Sequence, residues 1–472
     1  MKTQLPNLQS IRSPRLASGI ALALGLFAAV LAPQAKAAQS TQFALKPGDR
    51  VCFYGDSITE QRFYGMDVEA FVRTRYPGLK VEFVNSGVGG DKVTGGWAGG
   101  IDTRLERDVF PFKPNVVTIM LGMNDASYRP FDQKIFDVYR KGYEHIIESL
   151  QQHLPGVRIV LIQPTPYDDV TKAPFFPGGY NAVLLRYSAF VRELAARHHL
   201  ECVDFMTPLL NVLTKAQAEN PKLAGEVLPG RIHPSPVGEL VMAQALLKAW
   251  NASPTVTAVT IDGAAHQVVS SENTTVSDLS RDGASLSWTQ HDDCLPFPIL
   301  GLHEQWKQFP PTERDWGSLS FFTPAPKPDW SHTDPAAALM IKLSHFYRDL
   351  DQQTLKVRGL PAAQYALSID GKYIGTFESF ELAGGINLAN YETPMMNQAW
   401  HVLDLCWKHT AWRFFAWRGI QTQLAFDKDP SVQAATTALV DALHNQELGI
   451  EKREVAAAQP RVTHYRLSIV SR

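Results

Sequence analysis

Cysteine, charge and extended basic segments are scarce in this chain of 472 residues, which has 4 cysteines and 19% charged residues. The formal net charge is −2 and no aromatic-basic repeat occurs, which argues against nucleic acid or an anionic membrane surface as a partner. Internal repeats and low-complexity tails are also absent. With 45% hydrophobic residues the composition is that of a globular protein, and the length predicts about two or three domains.

Signatures of disulfide frameworks, metal sites and dinucleotide sites are missing as well. Cys52 and Cys202 lie in apolar, strand-like runs, where we expect buried free thiols, whereas the pairing of Cys294 with Cys406 stays open. Neither C-x-x-C nor H-E-x-x-H occurs. A dinucleotide fingerprint fails because Lys92 stands where the third glycine is required. We therefore expect no metal and no organic cofactor.

One long hydrophobic run, Ala17–Ala32, lies near the N-terminus. Basic residues precede it and Ala35-Lys36-Ala37 follows it, which is typical of a secretory signal peptide cleaved after Ala37. A retained membrane anchor is the alternative, but the run is short for a span. We expect residues 1–37 to direct export, and the mature chain to be secreted or periplasmic without a membrane span.

From Arg50 to about Ala252, short β-rich runs alternate with longer amphipathic segments. This order predicts an α/β fold in which helices cover both faces of a parallel sheet. The predicted strands are Val51–Tyr54, Val81–Asn85, Val116–Leu121, Ile159–Ile162 and Glu201–Phe205. The predicted helices are Asp67–Tyr76, Gly99–Val109, Asp132–His153, Asn181–His199 and Gly238–Trp250. A parallel sheet places its site at the carboxyl ends of its strands.

Beyond Pro254 the pattern changes to short alternating runs with turn signals, which predict antiparallel hairpins. A proline-rich loop over Pro310–Pro335 and helices over Met395–Phe426 and Pro430–Leu448 follow, and Arg461–Val470 alternates as a closing strand. We expect the four tryptophans of the first helical segment to form an ordinary core.

Residues 38–252 are thus predicted to form one domain, and residues 253–472 a β-rich plus helical accessory region. Because no Gly/Ser-rich linker separates the two, we expect them to pack closely against each other. The alternative is an independent carbohydrate-binding or assembly domain. The sequence leaves the oligomeric state open.

Four short motifs in the first region fall at the ends of strands or before a helix. A serine directly after the first strand is placed where a parallel sheet can present a nucleophile. The motifs are Gly55-Asp56-Ser57, the glycine-rich Asn85–Asp91, Gly122–Asp125 and Arg231–Pro234. In this order they resemble the SGNH (GDSL-type) hydrolases over about Arg50–Trp250. No G-x-S-x-G elbow occurs, which disfavours the other common serine-esterase fold.

The resemblance implies a flavodoxin-like three-layer α/β/α sandwich and an ester hydrolase that works by acyl transfer to a serine. It implies that Ser57 is the nucleophile and His233 its general base. It also implies an oxyanion hole made of the Ser57 and Gly90 backbone N–H groups and the Asn124 side-chain amide. We expect acetyl or another short acyl group on a small molecule or glycan as the substrate, with a lipid, aryl ester or thioester as the alternative.

Each motif taken alone also has a purely structural interpretation. Ser57 fits a helix N-cap, Asn124-Asp125 an Asx turn, and Gly87–Gly90 a plain tight turn. A lone histidine before proline is more often a satisfied loop residue than a catalytic base. The order of all four motifs, rather than any one of them, favours the hydrolase interpretation.

One position departs from the family pattern, which has an aspartate three residues before the histidine. Gly230 stands there, so the usual partner of the imidazole is missing. We expect a backbone carbonyl of the Val227–Gly230 turn to accept the His233 Nδ1 proton. The alternatives are a carboxylate from Asp168, Asp169 or Glu226, or a catalytically weak, secreted carbohydrate-binding protein.

Overall fold

The central element is a five-stranded parallel sheet, seen in a computed structural model that describes residues 42–283, 285–303, 325 and 327–470. Its strands are β1 (Arg50–Gly55), β2 (Glu82–Asn85), β5 (Val116–Met120), β6 (Arg158–Ile162) and β7 (Glu201–Val203), in the order β2-β1-β5-β6-β7. The short strands β3 (Gly95–Gly96) and β4 (Gly99–Gly100) pair in the loop after β2. This order is the flavodoxin-like one, as predicted.

The helices of this region follow the strands in alternation. They are α1 (Ser57–Glu60), α2 (Phe63–Arg75), α3 (Ile101–Asp108), α4 (Gln133–His153), α5 (Gly179–His198), α6 (Met206–Glu219), α7 (Pro221–Ala224) and α8 (Pro236–Ala249). Helix α2 packs on α8, and α4 packs on α5, as in a sheet covered on both sides. Helix α6 was not predicted, whereas the five predicted helices and five predicted strands are confirmed to within a few residues.

The C-terminal region contributes two further sheets and several helices. The strands are β8 (Thr255–Asp262), β9 (Gln267–Glu272), β10 (Thr274–Asp282), β11 (Ser285–Asp292), β12 (Gln352–Arg358), β13 (Gln364–Ile369), β14 (Lys372–Glu378), β15 (Ile386–Asn387) and β16 (Val462–Ile469). The helices are α9 (Pro335–Ser344), α10 (Phe346–Leu350), α11 (Ser379–Gly384), α12 (Pro394–Phe414), α13 (Thr422–Leu424) and α14 (Pro430–Ala457). Strands order as β10-β11-β16-β13-β14 and as β15-β12-β8-β9.

Burial along the strands follows from their place in the sheets. Every residue of β5 is buried, because a central strand of a parallel sheet is covered on both faces. Strands β11 and β16 alternate buried and less buried residues instead, because only one face of their sheet meets the core. The sequence shows this difference between the two kinds of strand: the apolar runs are continuous before Ala252 and alternate with polar residues after Pro254.

Helix α12 joins the two regions, since it packs on α2, on β2 and on α14. Its tryptophans Trp400 and Trp407 are buried, as is Trp417 in the π-helical segment Phe415–Gln421 that follows, so the predicted tryptophan core is confirmed for these three. The described residues lie in one compact unit. The domain boundaries 38–252 and 253–472 stay a prediction. The contacts of α12 with α2 and β2 pack the C-terminal region closely against the first region.

Several remaining expectations concern single features. All four cysteines are free, so Cys294 and Cys406 do not form a disulfide. The predicted signal peptide and most of the proline-rich segment lie outside the described residues. Within the described ranges, no helix combines the length and the apolar character needed to cross a membrane.

Candidate active site

Ser57 lies at the first residue of α1, immediately beyond the carboxyl end of β1. The turn is tight because Gly55 lacks a side chain: a Cβ there would lie 2.2 Å from the Thr59 hydroxyl oxygen. Asp56, not Ser57, caps the helix, since its carboxylate accepts from the Ile58 N–H at 3.0 Å. The N-cap interpretation of Ser57 is therefore wrong, and its side chain is left to point out of the turn.

His233 meets Ser57 across the edge of the sheet. The His233 Nε2 and Ser57 Oγ atoms are 2.8 Å apart, although the two residues are 176 positions apart in the chain. The loop that carries His233 is fixed by its neighbour, because the Pro234 carbonyl accepts from the Gln61 side chain at 3.3 Å. Burial lowers the pKa of His233, so the imidazole is neutral at neutral pH and its ring can accept a proton.

The other ring nitrogen of His233 has no partner within the described residues. Among the described residues, no carbonyl of the Val227–Gly230 turn accepts from His233; the Val227 and Leu228 carbonyls accept from the backbone N–H groups of Ser235 and Arg231. Asp168 instead binds the Val170 and Thr171 N–H groups. Asp169 binds the Asn181 N–H. Neither the expected carbonyl nor these carboxylates orient the ring.

A cavity of about 260 Å³ adjoins His233. Gly230 and Glu226 line it from the hydrolase region, and Asp334 and Met340 line it from the C-terminal region. A Cβ at Gly230 would meet no atom within 4 Å, and the backbone there is not left-handed. Glycine at this position is thus not required by the fold, and the place of the missing acid is open space.

The glycine-rich loop after β2 wraps around α1. At Gly87 a Cβ would lie 2.4 Å from the Glu60 backbone nitrogen, so only glycine allows this close approach. A Cβ at Gly89 would lie 3.9 Å from the Ser57 Cβ, which puts the loop beside the serine. Gly90 has a φ of +78°, a left-handed conformation that favours glycine.

Gly89 and Gly90 differ in what their N–H groups do. The Gly89 N–H donates to the Glu60 carboxylate at 2.8 Å and is therefore occupied. Across the described ranges, the backbone N–H groups of Gly90 and Ser57 donate to no other protein group. These two N–H groups are thus available as donors beside the serine hydroxyl. An oxyanion hole that uses Gly90 rather than Gly89 would need this.

Asn124 follows β5 and faces the same edge. Its amide nitrogen donates to the Asp91 carbonyl at 3.1 Å, which leaves its second N–H to point elsewhere. Its amide oxygen accepts from the Tyr128 hydroxyl at 2.7 Å, which fixes the orientation of the amide. Tyr128 was missed by the sequence analysis, and it sits in a left-handed conformation with φ of 53° that no sequence motif signals.

Two buried carboxyl groups flank the catalytic edge. Burial raises the pKa of Asp56 to about 8 and that of Asp125 to about 7. Asp125 accepts from the Val93 N–H at 2.9 Å, so it ties the glycine-rich loop to the turn after β5 rather than closing an Asx turn of its own. At neutral pH both groups therefore carry less negative charge than exposed carboxyl groups would.

The chain is similar to known proteins. Residues 53–240 match the GDSL-like lipase/acylhydrolase family. Over these residues the chain therefore contains an SGNH (GDSL-type) hydrolase domain. An acetylxylan esterase from Geobacillus stearothermophilus is 28% identical over 224 residues, which cover 43% of this chain and 93% of that protein.

A solved structure resembles this SGNH hydrolase over nearly its full length. It is described as a gut microbial diltiazem-metabolizing enzyme, has 25% sequence identity and superposes with a TM-score of 0.75. The match covers 91% of this chain and 99% of the other, so the likeness extends through the C-terminal region. The protein is a carboxylic ester hydrolase with the predicted α/β sandwich followed by a mixed β/α region.

The mouth of the site in this SGNH hydrolase is aromatic. The Tyr128 ring stacks on Tyr180 with centroids 5.1 Å apart. Phe175 is 73% exposed and lies under the Arg231 guanidinium, 4.3 Å from the ring centroid. Arg231 also donates to the Ala173 carbonyl at 3.1 Å, which ties the loop before His233 to the loop after β6.

Away from this edge, the hydrolase has a buried group of charged side chains between α2, α12 and α14. Glu69, His409 and Glu451 lie close enough to hold a metal ion. Burial alone would keep His409 neutral, but the charge of Glu69 and its hydrogen bond at 3.0 Å raise the pKa of His409 to about 10. Arg73 also donates to Glu454 at 2.9 Å. Two protein cations, His409 and Arg73, therefore already pair with these carboxylates.

Proposed function

We propose that this protein is an exported serine esterase that removes acetyl or other short acyl groups from a glycan. The 2.8 Å contact between the Ser57 hydroxyl and the neutral His233 ring is the observation that carries the proposal. Export rests on the sequence pattern of residues 1–37. The acetyl preference is supported by the relative named as an acetylxylan esterase.

In the acylation step, the Ser57 oxygen attacks the ester carbonyl carbon while its proton passes to His233 Nε2. The carbonyl oxygen takes up the electron pair and accepts hydrogen bonds from the Ser57 and Gly90 N–H groups and the Asn124 amide. When the carbonyl re-forms, the bond to the alcohol breaks and His233 returns its proton to the leaving oxygen. Water then repeats the sequence on the acyl-enzyme and releases the acid.

Exposed aromatic groups near the loop ends support a sugar as the alcohol part of the ester. Trp97 is 52% exposed, and its indole donates to the Gly89 carbonyl at 2.9 Å, so the ring stands next to the glycine-rich loop. Amphipathic aromatic rings at such a position offer an apolar face to the C–H surface of a pyranose.

A second candidate is an ester of a small aromatic molecule. The resemblance to a diltiazem-metabolizing enzyme over most of the chain, together with the exposed ring of Phe175, favours it. The two candidates differ in the substrate and not in the chemistry, so the same catalytic residues serve both.

The experiment compares hydrolysis of 4-nitrophenyl acetate, acetylated xylo-oligosaccharides and diltiazem by wild type, Ser57→Ala and Ser277→Ala. Ser277 is exposed on β10, so its variant controls for loss of any serine hydroxyl. We expect Ser57→Ala to lose activity and Ser277→Ala to keep it. A fluorophosphonate should label Ser57 in the wild type, as read by peptide mass spectrometry. Activity that survives in Ser57→Ala contradicts the proposed nucleophile, and an inactive wild type favours a binding protein.

A further inference from the structure

The peptide group between Gly89 and Gly90 carries the N–H that the proposed function uses as an oxyanion donor. In a planar, trans peptide the C=O and the N–H point in opposite directions, so fixing one of them fixes the other. The Gly89 carbonyl accepts from the Trp97 indole at 2.9 Å. Trp97 therefore sets the direction in which the Gly90 N–H points.

The preceding peptide group is fixed as well, by Glu60. The Gly89 N–H donates to one carboxylate oxygen of Glu60 at 2.8 Å. The other carboxylate oxygen accepts from the Arg418 Nε at 2.6 Å. Glu60 is almost completely buried, and the charge of Arg418 compensates its own. Loss of that cation would leave a buried carboxylate free to shift away from the loop.

Arg418 contacts the Trp97 side of the loop too. Its guanidinium lies 4.1 Å from the centroid of the Trp97 ring, in a cation–π arrangement. Both polar backbone groups of Gly89 are thus held by side chains that Arg418 touches. A single residue from the C-terminal region holds the loop on which the oxyanion donor sits.

The segment that carries Arg418 is built against the loop. Phe414 and Trp417 form a buried apolar cluster with Val88 and Ala98, which lie on either side of the glycines. Residues Phe415–Gln421 form a π-helix after α12. Such segments are rare, and they occur frequently at functional sites. Here the π-helix turns Arg418 toward Glu60 while Trp417 stays buried.

We infer that Arg418 is a positioning residue for the oxyanion loop and that the C-terminal region is therefore a working part of the catalytic site. This inference rests on the proposed function, because it takes the Gly90 N–H as an oxyanion donor. Removing one oxyanion donor costs about 10²–10³ in kcat. Misdirecting a donor that is still present should cost less, about 10- to 100-fold.

The test measures kcat and KM for 4-nitrophenyl acetate in Arg418→Gln, Arg418→Lys, Trp97→Phe and the control Arg466→Gln. Arg466 is exposed on β16 and donates to the Ser468 hydroxyl, so its variant removes a guanidinium that does not pair with Glu60. We expect Arg418→Gln and Trp97→Phe to lose about 10- to 100-fold in kcat with little change in KM. Arg418→Lys should recover part of the loss, because a lysine can still pair with Glu60.

Two further measurements separate positioning from general damage to the fold. The fraction of each variant that a fluorophosphonate labels should stay near that of the wild type, while the rate of labelling falls. Combining Arg418→Gln with Glu60→Gln should add little to the loss of either variant alone, since both act through one chain of contacts.

An Arg418→Gln enzyme as fast as Arg466→Gln overturns the inference, and so does a loss that only reflects a smaller labelled fraction. Additive losses in the Arg418 and Glu60 pair overturn it as well. Failure of the proposed function is distinct, because activity would then survive in Ser57→Ala or be absent from the wild type.

Discussion

Installing the missing acid by Gly230→Asp should raise the rate of the enzyme and shift the acidic limb of its pH profile to higher pH. Gly230 and His233 line one cavity, and a side chain at position 230 would meet no atom within 4 Å. The backbone there is not left-handed, so an aspartate imposes no conformational strain. The new carboxylate would give the His233 Nδ1–H an acceptor and hold Nε2 unprotonated toward Ser57.

The expected gain in kcat depends on how well the His233 ring is already positioned. His233 already lies 2.8 Å from Ser57, so its position is correct and only the tautomer and the charge of the protonated ring lack support. Removing a partner carboxylate in a serine triad costs up to about 10⁴ in kcat, which is the upper bound for adding one. We expect a gain of about 10-fold or more that stays well under this upper bound, because part of the orientation already exists.

The direction in which the pH profile shifts is an independent test. Burial lowers the pKa of His233, so the acidic limb of kcat/KM in the wild type should fall below about pH 6.5. A carboxylate within about 4–6 Å favours the protonated ring and should raise the His233 pKa by about 1 to 3. Since the neutral ring is the active form, the acidic limb of Gly230→Asp should move to higher pH while the plateau rises.

The assay records kcat/KM against pH for the wild type, Gly230→Asp, Gly230→Asn and Gly225→Asp. Gly225 is the matched control, because a Cβ there also meets open space but the residue does not line the cavity. Gly230→Asn keeps the shape without the charge, so it should leave the acidic limb near that of the wild type. If Gly230→Asp folds normally yet keeps the wild-type rate and limb, the reasoning about the Nδ1 partner is refuted.

Four further outcomes are expected. Asn124→Ala should lower kcat by about 10²–10³, and Tyr128→Phe should lower kcat by a smaller factor with KM little changed, as steady-state kinetics will show. Asp56→Asn keeps an oxygen that accepts from the Ile58 N–H. The pKa of Asp56 is about 8 in the folded state and about 4 in the unfolded state. The gain in Tm of the variant over the wild type should therefore widen as the pH rises between these two values. Residues 38–252 expressed alone should be poorly soluble or inactive, and a soluble, fully active fragment would contradict close packing.

The sequence predicted the sheet of the hydrolase region well because its signals are local. Continuous apolar runs mark strands buried on both faces, and each glycine motif follows such a strand directly. Ser57, the Asn85–Asp91 loop and Asn124 could be assigned to one edge because parallel strands end on the same side. To predict that these residues lie next to His233, the order of the motifs was needed as well as the periodicity.

What the sequence could not predict depends on contacts between distant segments. Tyr128 holds Asn124 from a left-handed turn, and Arg418 reaches Glu60 across 358 positions of chain. No spacing rule links such pairs, because tertiary packing alone brings them together. The expected carbonyl partner of His233 is not found for the same reason: the direction of each carbonyl in the Val227–Gly230 turn depends on tertiary contacts, such as the bond from Lys172 to the Pro229 carbonyl.

The composition of α2 explains why the two regions depend on each other. All 13 residues of this helix are buried, so it has no solvent face, yet it carries Glu69 near its middle and Arg73 in its last turn. Buried charges are tolerable only when they are paired, and here the partners are His409 and Glu454 from the C-terminal helices. The pairing fixes how α12 sits on α2, and α12 leads directly into the π-helix that carries Arg418. This interface therefore also places Arg418 against the glycine-rich loop. If Arg418 positions that loop as we infer, changes in the interface should alter stability and turnover together.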